Sequence, residues 1–186
     1  MNKNILMNNI WISEENLIKR NTVLVFGAFL FLSLMSQIKI FLPFTPVPIT
    51  GQTLAVILIG LSFNRYQSAI IIITYILAGE LGLPVFAGFK TGLLFSPSGG
   101  YIIGFLFSTQ VAAYLSEKGW TKSTIKLILS FIIANAVIYI AGLAQLSAYV
   151  PEGKLLATGL YPFILGDILK LFIAFGLIKQ VWRIVK

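Results

Sequence analysis

The amino-acid sequence predicts an all-α fold: a polytopic integral membrane protein with six transmembrane helices. Of its 186 residues, 58% are hydrophobic and only 11% are charged, and the mean hydropathy is +0.92. Soluble domains are nearer half apolar and a quarter charged. The apolar residues also fall into six runs separated by polar or Pro- and Gly-rich stretches. Composition and spacing together therefore indicate a chain whose helices face lipid.

The six apolar runs mark the candidate helices and divide the chain into two parts. Residues 1–21 form an N-terminal cytoplasmic or interfacial segment, in which Ile10, Trp11 and Ile12 are either frayed or part of a short amphipathic piece. Residues 22–186 form the six-helix membrane domain. Because a helix needs about 20 residues to cross a bilayer, the second run is short. It is expected to pack among its neighbours or to be continued by the preceding loop. The runs are 22–42, 50–63, 66–83, 100–115, 124–146 and 160–185.

Lysine and arginine are distributed unequally between the two sides of this arrangement. With both termini in the cytoplasm, ten of these residues lie on the inner side and three on the outer side. Cytoplasmic loops of membrane proteins carry such an excess, so the bias predicts this orientation. Trp120 and Trp182 fall near the inner boundary, where interfacial aromatic residues are common. The inner residues are Lys3, Lys19, Arg20, Arg65, Lys118, Lys122, Lys126, Lys179, Arg183 and Lys186; the outer ones are Lys39, Lys90 and Lys154.

Residue types that are missing from the sequence exclude several kinds of chemistry. The chain has no Cys and no His, which removes thiol nucleophiles, Cys/His metal sites and imidazole acid–base catalysis. We therefore expect no catalytic residue, no bound metal and no cofactor. The net charge of +8 does not indicate nucleic-acid binding, because the basic residues flank apolar runs as they do at a membrane surface.

Asp167 and Lys170 place opposite charges inside the last apolar run. Three residues apart on a helix, their side chains share one face. Charges at membrane depth are costly and commonly mark a ligand or ion path, and the predicted orientation puts this pair in the outer half of the membrane. The alternative is an intrahelical ion pair that only fixes helix packing, although such a pair stabilises little for its desolvation cost.

A second polar pair lies on the fifth predicted helix. Asn135 and Tyr139 are four residues apart and share a face, which can turn toward Asp167; the alternative for Asn135 is an interhelical hydrogen bond that serves packing alone. The long outer loops add Lys90, either a solvated side chain or a clamp for a carboxylate, and aromatic side chains for apolar walls. Such a pocket suits a small, mostly apolar ligand with a hydrogen-bonding head and an anionic group. The aromatic candidates are Phe86, Phe89, Phe95 and Tyr101.

Five motifs follow one another along the chain in a specific order. They are Thr45-Pro-Val-Pro-Ile-Thr-Gly-Gln-Thr53, Gly82-Leu-Pro-Val-Phe-Ala-Gly88, Ser96-Pro-Ser-Gly-Gly-Tyr101 with Gly104-Phe105, Asn135-x-x-x-Tyr139-x-x-Gly142, and Gly166-Asp-x-x-Lys170. This order is the one seen in the BioY family, which the chain therefore resembles. The resemblance covers nearly everything from about residue 22 to the C terminus.

The resemblance implies a function that composition and spacing do not reach. BioY proteins are the biotin-specific substrate-binding components (S components) of energy-coupling factor (ECF) transporters, so the chain is expected to bind biotin from the outer side of a bacterial plasma membrane. The implied partners are a membrane-embedded coupling protein and two cytoplasmic ATPases, which hydrolyse ATP while this chain catalyses nothing. The competing function classes are a stand-alone transporter driven by its own gradient and an intramembrane enzyme.

Carried onto this chain, the resemblance implicates Asp167 and Lys170 first. Asn135 and Tyr139 follow, and the loop 82–101 would form a lid. In this interpretation Asp167 accepts from the ureido N–H groups of biotin, while either Lys170 or a loop lysine meets the valerate carboxylate. The other candidate contacts are Lys90 as that loop lysine, Phe86, Gly88, Tyr101 and Gln52.

One departure from the family pattern concerns the first long helix. S components often carry a small residue at every fourth position there, on the face that packs against the coupling protein. In this chain Ala28 is followed at those offsets by Leu32 and Ser36, so the stripe of small residues is interrupted. Because small residues permit close helix approach, the departure bears on the partner interface and not on the biotin site.

Overall fold

The computed structural model describes residues 3–10 and 17–185 and consists mainly of helices. Trp11, Ile12 and Lys186, which enter the expectations above, lie outside the described residues. A short 3-10 helix, Trp120–Lys122, connects the fifth and sixth α-helices. The α-helices are α1 (Leu6–Ile10), α2 (Leu17–Gln37), α3 (Gln52–Ser62), α4 (Arg65–Glu80), α5 (Gly99–Glu117), α6 (Thr124–Leu146), α7 (Leu155–Gly159) and α8 (Tyr161–Ile184).

A short hairpin closes the connection between α2 and α3. Strand β1 (Lys39–Ile40) pairs antiparallel with β2 (Ile49–Thr50), with Lys39 opposite Thr50. The Pro-rich loop between the two strands is thereby folded back over the end of the bundle at which α3 begins.

Each of the six predicted apolar runs overlaps one helix of at least 11 residues, and no other helix in the described residues is that long. Helix α2 begins at Leu17, five residues before the predicted run. Among the described residues, three helical stretches are long and apolar enough to cross a membrane: α2, α6 and the combined stretch Leu155–Ile184. Helix α3 has only 11 residues, and nine of them are buried. It therefore packs among its neighbours, which is the first of the two expectations for the short second run.

Small residues allow the central helices to approach closely. Helix α5 lies between α3 and α6. A Cβ atom added to Gly60 of α3 would lie 2.6 Å from the Cβ of Ala112 on α5. One added to Gly100 of α5 would lie 2.4 Å from the carbonyl oxygen of Ala141 on α6. These glycines are therefore required for the close packing of α3, α5 and α6, as is usual between membrane helices.

Helix α8 turns only a narrow stripe toward the protein interior. The spacing of its buried residues is four, seven, four and four, which keeps them on one face of a helix. Most of its other apolar side chains are exposed, as expected of a helix that faces lipid. Asp167 belongs to this buried face, so its burial follows from which face of α8 is turned toward the protein interior. The buried residues are Phe163, Asp167, Ala174, Ile178 and Trp182.

The interrupted stripe of small residues on α2 faces the interior of this chain. Ala28, Leu32 and Ser36 are all buried, and the Ser36 hydroxyl donates a hydrogen bond to the Val85 carbonyl at 2.6 Å. These positions pack against the chain's own loop and neighbouring helices. The exposed face of α2 carries larger apolar side chains, among them Phe26 and Leu34.

Candidate functional site

A cavity lies at the end of the bundle at which α8 begins. The loops that precede α3 and α5 close over it, and helices α3, α5, α6 and α8 form its walls. The space between these elements is about 860 Å³ with the open mouth included. The lining residues are Pro46, Val47, Pro48, Thr50, Gln52, Thr53, Ala87, Lys90, Leu93, Ser96, Pro97, Ser98, Tyr101, Ile102, Phe105, Asn135, Ile138, Tyr139, Phe163, Asp167 and Lys170.

Asp167 is the centre of a hydrogen-bond network in the cavity wall. The residue is only 8% exposed, and its Oδ2 accepts hydrogen bonds from Asn135 Nδ2 at 2.9 Å and from the Tyr139 hydroxyl. Its Oδ1 accepts from Lys170 Nζ at 3.2 Å. A buried carboxylate needs such partners, because burying an unpaired charge is costly. The structure thus brings together the four residues that helical spacing predicts to share faces.

Lys170 of α8 also forms a hydrogen bond with helix α3. Its Nζ donates to Thr53 Oγ1 at 2.7 Å, and Thr53 lies in the first turn of α3. An ammonium has three donors, so the two contacts to the protein leave one for a ligand. Thr53 is absent from the candidates predicted from sequence, because a single threonine carries neither charge nor periodicity. Its position in the first of the five motifs was the available signal.

Three aromatic rings form an apolar wall next to the network. The ring centroids of Tyr101, Tyr139 and Phe163 lie 6.4–6.5 Å from one another. The Tyr101 hydroxyl donates to the Gly159 carbonyl at 2.8 Å, which ties α5 to the last residue of α7. Tyr101 is a predicted site residue, whereas Phe163 was not singled out from the sequence. Phe163 could have been found from the sequence because it lies four residues before Asp167, on the same helical face.

Two further predicted residues line the cavity in different ways. Gln52 is buried and already engaged, since it donates to the Tyr75 hydroxyl at 2.7 Å and accepts from the Thr50 hydroxyl at 3.0 Å. Lys90 is exposed, with its Nζ 5.9 Å from the centroid of the Phe41 ring. Gln52 therefore braces the wall, while Lys90 is available at the mouth.

Other predicted contacts lie outside the cavity lining. Phe86 is fully buried in the core, with its ring centroid 5.3 Å from that of Tyr75. Gly88 has a φ of +78° and forms part of the turn beyond Phe86. Phe89 and Phe95 are 68% and 92% exposed. The prediction that Phe86, Phe89 and Phe95 wall the pocket is therefore corrected, since none of the three lines the cavity. The physical reason is that side chains of an irregular loop follow no helical period that would show their direction.

The predicted lid is fastened to the helices around it. The Glu80 carboxylate, at the end of α4, accepts from the backbone amides of Leu93 and Leu94 at 2.8 and 3.0 Å. From α6, Gln145 Nε2 donates to the Leu94 carbonyl at 2.7 Å and to the Ser96 carbonyl at 2.9 Å. The loop therefore has a defined position over the cavity, because helix side chains satisfy its backbone polar groups.

The charges of the lining favour an anionic ligand with hydrogen-bond donors. Two lysines and one aspartate, Lys90, Lys170 and Asp167, give the described lining a net charge of +1. Within residues 3–10 and 17–185, no three His, Cys, Asp or Glu side chains come together as a metal site would require. The arrangement can hold a carboxylate by a cation, accept N–H donors at Asp167 and enclose an apolar middle.

Comparisons with known proteins relate the chain to one family. The model of the BioY family matches residues 6–186. The chain is 36% identical over 136 residues to the biotin transporter BioY of Thermotoga maritima, covering 72% of this chain and 79% of that protein. It is 37% identical over 127 residues to the probable biotin transporter BioY of Pyrococcus horikoshii, covering 67% and 74%.

A solved structure shares the fold. The crystal structure of the S-component for biotin from an ECF-type ABC transporter superposes on this chain with a TM-score of 0.81. The match covers 92% of this chain and 95% of the other, at 23% sequence identity. The chain therefore shares its helical architecture with that S-component.

Proposed function

The chain belongs to the BioY family, and from this premise we propose that it is the biotin-binding membrane subunit of an ECF-type uptake system. The observation that carries the proposal is the cavity in which Asp167, Asn135, Tyr139 and Lys170 form one network. Relatives of the chain are named as biotin transporters, and the chemistry of biotin matches this network.

Asp167 is assigned to the ureido ring of biotin. A carboxylate offers about four acceptor positions, and three are used by Asn135, Tyr139 and Lys170. At least one position remains for a ureido N–H. Hydrogen bonds to an ionised acceptor are roughly twice as strong as neutral ones, so this contact would contribute strongly to affinity and would favour a ligand with N–H donors.

Lys90 is assigned to the valerate carboxylate. Lys170 lies against the carboxylate of Asp167, next to the assigned position of the ureido ring, and the aliphatic chain of biotin separates its acid from that ring. Lys90 lines the cavity from the loop and is exposed at the mouth. The rings of Tyr101, Tyr139 and Phe163 would then contact the apolar middle of the ligand.

The remaining features of the uptake system follow from family membership and charge distribution. We expect six membrane-crossing helices with both termini in the cytoplasm, which the excess of inner lysines and arginines supports. The expected setting is the bacterial plasma membrane. ATP hydrolysis is assigned to two cytoplasmic ATPases that act through a membrane-embedded coupling protein, and this chain is assigned no catalysis, metal or cofactor.

Uptake of labelled biotin tests whether this chain only binds biotin while partner proteins drive its transport. Cells that express this chain alone should bind biotin without accumulating it, and cells that also express an ECF coupling protein and its ATPases should accumulate it. Depletion of ATP should abolish that accumulation. Full accumulation by the chain alone, independent of ATP, would instead identify a stand-alone transporter driven by a gradient.

A further inference from the structure

A second pocket, at the opposite end of the bundle, is lined by positive charge. It lies between the last turns of α8, the connection that precedes α6 and the N-terminal residues. Four basic side chains line it: Lys3, Lys122, Lys179 and Arg183. No carboxylate side chain lines this pocket in the part of the chain that the structure describes. The pocket thus has the charge that an anion requires.

Helix α8 gives this pocket an apolar end and a cationic end. Phe175, Lys179, Trp182 and Arg183 line it from one side of the helix, at spacings of four, three and one residues. At 1.5 Å per residue, Phe175 lies about 12 Å before Arg183 along the axis. The lining therefore changes from apolar to cationic toward the end of α8. A phospholipid at the membrane boundary presents its acyl chains and its headgroup in the same order.

Two of the four basic side chains, those of Lys122 and Lys179, are held in place by contacts with the protein. Lys122 Nζ lies 5.1 Å from the centroid of the Trp182 ring and donates to Asn4 Oδ1 at 2.7 Å. Lys179 Nζ donates to the Lys122 carbonyl at 2.9 Å. The Trp182 side chain is buried, and its indole N–H has no hydrogen-bond acceptor among the described residues. Such positioning distinguishes this pocket from a diffuse basic surface.

We propose that this pocket binds the headgroup phosphate of an anionic phospholipid in the leaflet at this end of the bundle. Basic pockets between membrane helices bind anionic headgroups, and phosphate oxygens accept strong charge-assisted hydrogen bonds from lysine and arginine. Phe175 and the exposed side of α8 would contact the acyl chains. None of these residues lines the cavity assigned to biotin, so the lipid site stands independently of the proposed ligand.

The test uses the full chain in nanodiscs of phosphatidylcholine with a minor fraction of phosphatidylglycerol. Native mass spectrometry identifies the lipids that stay bound after release from the disc. The test variant is Lys122→Gln with Arg183→Gln. The matched control, Lys118→Gln with Lys126→Gln, removes two positive charges from the same end of the bundle, one in the connection that precedes α6 and one in the first turn of α6, without touching the pocket lining. Circular dichroism and gel filtration confirm that both variants are folded.

Wild-type protein should retain phosphatidylglycerol in excess of its share of the disc. The test variant should lose this preference by roughly tenfold or more, since each lost hydrogen bond between a positioned cation and the headgroup phosphate is worth at least about a factor of ten. The control should keep it. An equal loss in both variants would reduce the effect to general surface charge and overturn the site. Displacement of the lipid by millimolar inorganic phosphate would overturn the lipid assignment in favour of free phosphate, and a wild type without preference would overturn both.

Discussion

The described part of the chain has two ion pairs, and the one with the longer distance between its charged atoms is the more deeply buried. At the cavity, Lys170 Nζ and Asp167 Oδ1 are 3.2 Å apart, and each side chain is 11% exposed. At the other end, Arg65 Nε and Glu117 Oε2 are closer, at 2.9 Å, but the side chains are 55% and 19% exposed. Exposed pairs contribute little to stability, whereas removing one partner of a buried pair leaves a costly charge. Environment, and not distance, therefore decides which pair matters for function.

The largest expected effect is on ligand affinity when the buried carboxylate is neutralised. Asp167→Asn keeps the shape of the side chain but removes the charged acceptor assigned to the ureido ring. Biotin affinity should fall by about 2–5 kcal/mol, the usual cost of losing one partner of a buried charged contact. Equilibrium binding of biotin to purified protein measures this. Glu117→Gln makes the same chemical change in the exposed pair and should leave the affinity unchanged; an equal loss in both variants would contradict the comparison.

The second largest effect is on the free energy of unfolding. It helps to decide whether the Asp167–Lys170 pair serves ligand binding or only helix packing. Lys170→Met keeps the aliphatic stem but leaves Asp167 without its ammonium, so the free energy of unfolding should fall by up to about 3 kcal/mol. Adding Asp167→Asn should restore most of this loss, because the uncompensated charge is then gone. Thermal unfolding in detergent follows both variants.

The double variant, Lys170→Met with Asp167→Asn, is also tested for biotin binding. If the pair serves biotin, restored stability should come without restored biotin binding. A double variant that binds biotin as the wild type does would show that Asp167 and Lys170 only fix helix packing, the alternative considered from the sequence.

A smaller effect is expected from the hydroxyl that holds the ammonium. Thr53→Val removes the acceptor of Lys170 at nearly constant volume and should lower biotin affinity by about 1 kcal/mol, the typical net value of a hydrogen bond. Thr91→Val, in the exposed part of the loop and outside the cavity lining, is the matched control. Binding isotherms measure the biotin affinity of both variants. If Thr91→Val weakens binding as much as Thr53→Val does, the specific role given to the Thr53 hydroxyl is wrong.

The smallest effect should come from the exposed pair itself. Arg65→Gln breaks its ion pair with Glu117 and should lower the free energy of unfolding by about 1 kcal/mol or less. The loss should shrink further at high salt, because exposed charges are screened. Unfolding measured at low and high ionic strength checks both points, and a loss as large as that of Lys170→Met would refute the distinction between the two pairs.

The parts of the structure that follow a helical period were predictable from the sequence. Each of the six apolar runs overlaps one helix of 11 residues or more, and the spacing of Asp167 with Lys170 and of Asn135 with Tyr139 correctly placed each pair on one face. Periodicity fixes the direction of a side chain relative to its neighbours on the same helix. The four residues could therefore be grouped before their contacts were known.

The loops and the outward faces of helices were not predictable in the same way. Phe86 was expected in the cavity wall and lies in the core, while Phe163 and Thr53 line the cavity without having been singled out. In a membrane both the lipid and the protein interior are apolar, so hydropathy does not tell which face of a helix turns inward. Ala28 and Ser36 illustrate this, since their stripe faces the interior of the chain.

The most direct test of the proposed function is a binding isotherm of the purified wild-type chain with biotin, alongside other vitamins that carry a carboxylate but no ureido ring. The cavity and its Asp167 network predict saturable binding of one biotin per chain. They also predict much weaker binding of the other acids, which lack the two N–H donors that a ureido ring offers to the Asp167 carboxylate. Absence of saturable biotin binding, or equally tight binding of an acid without a ureido ring, would contradict the account.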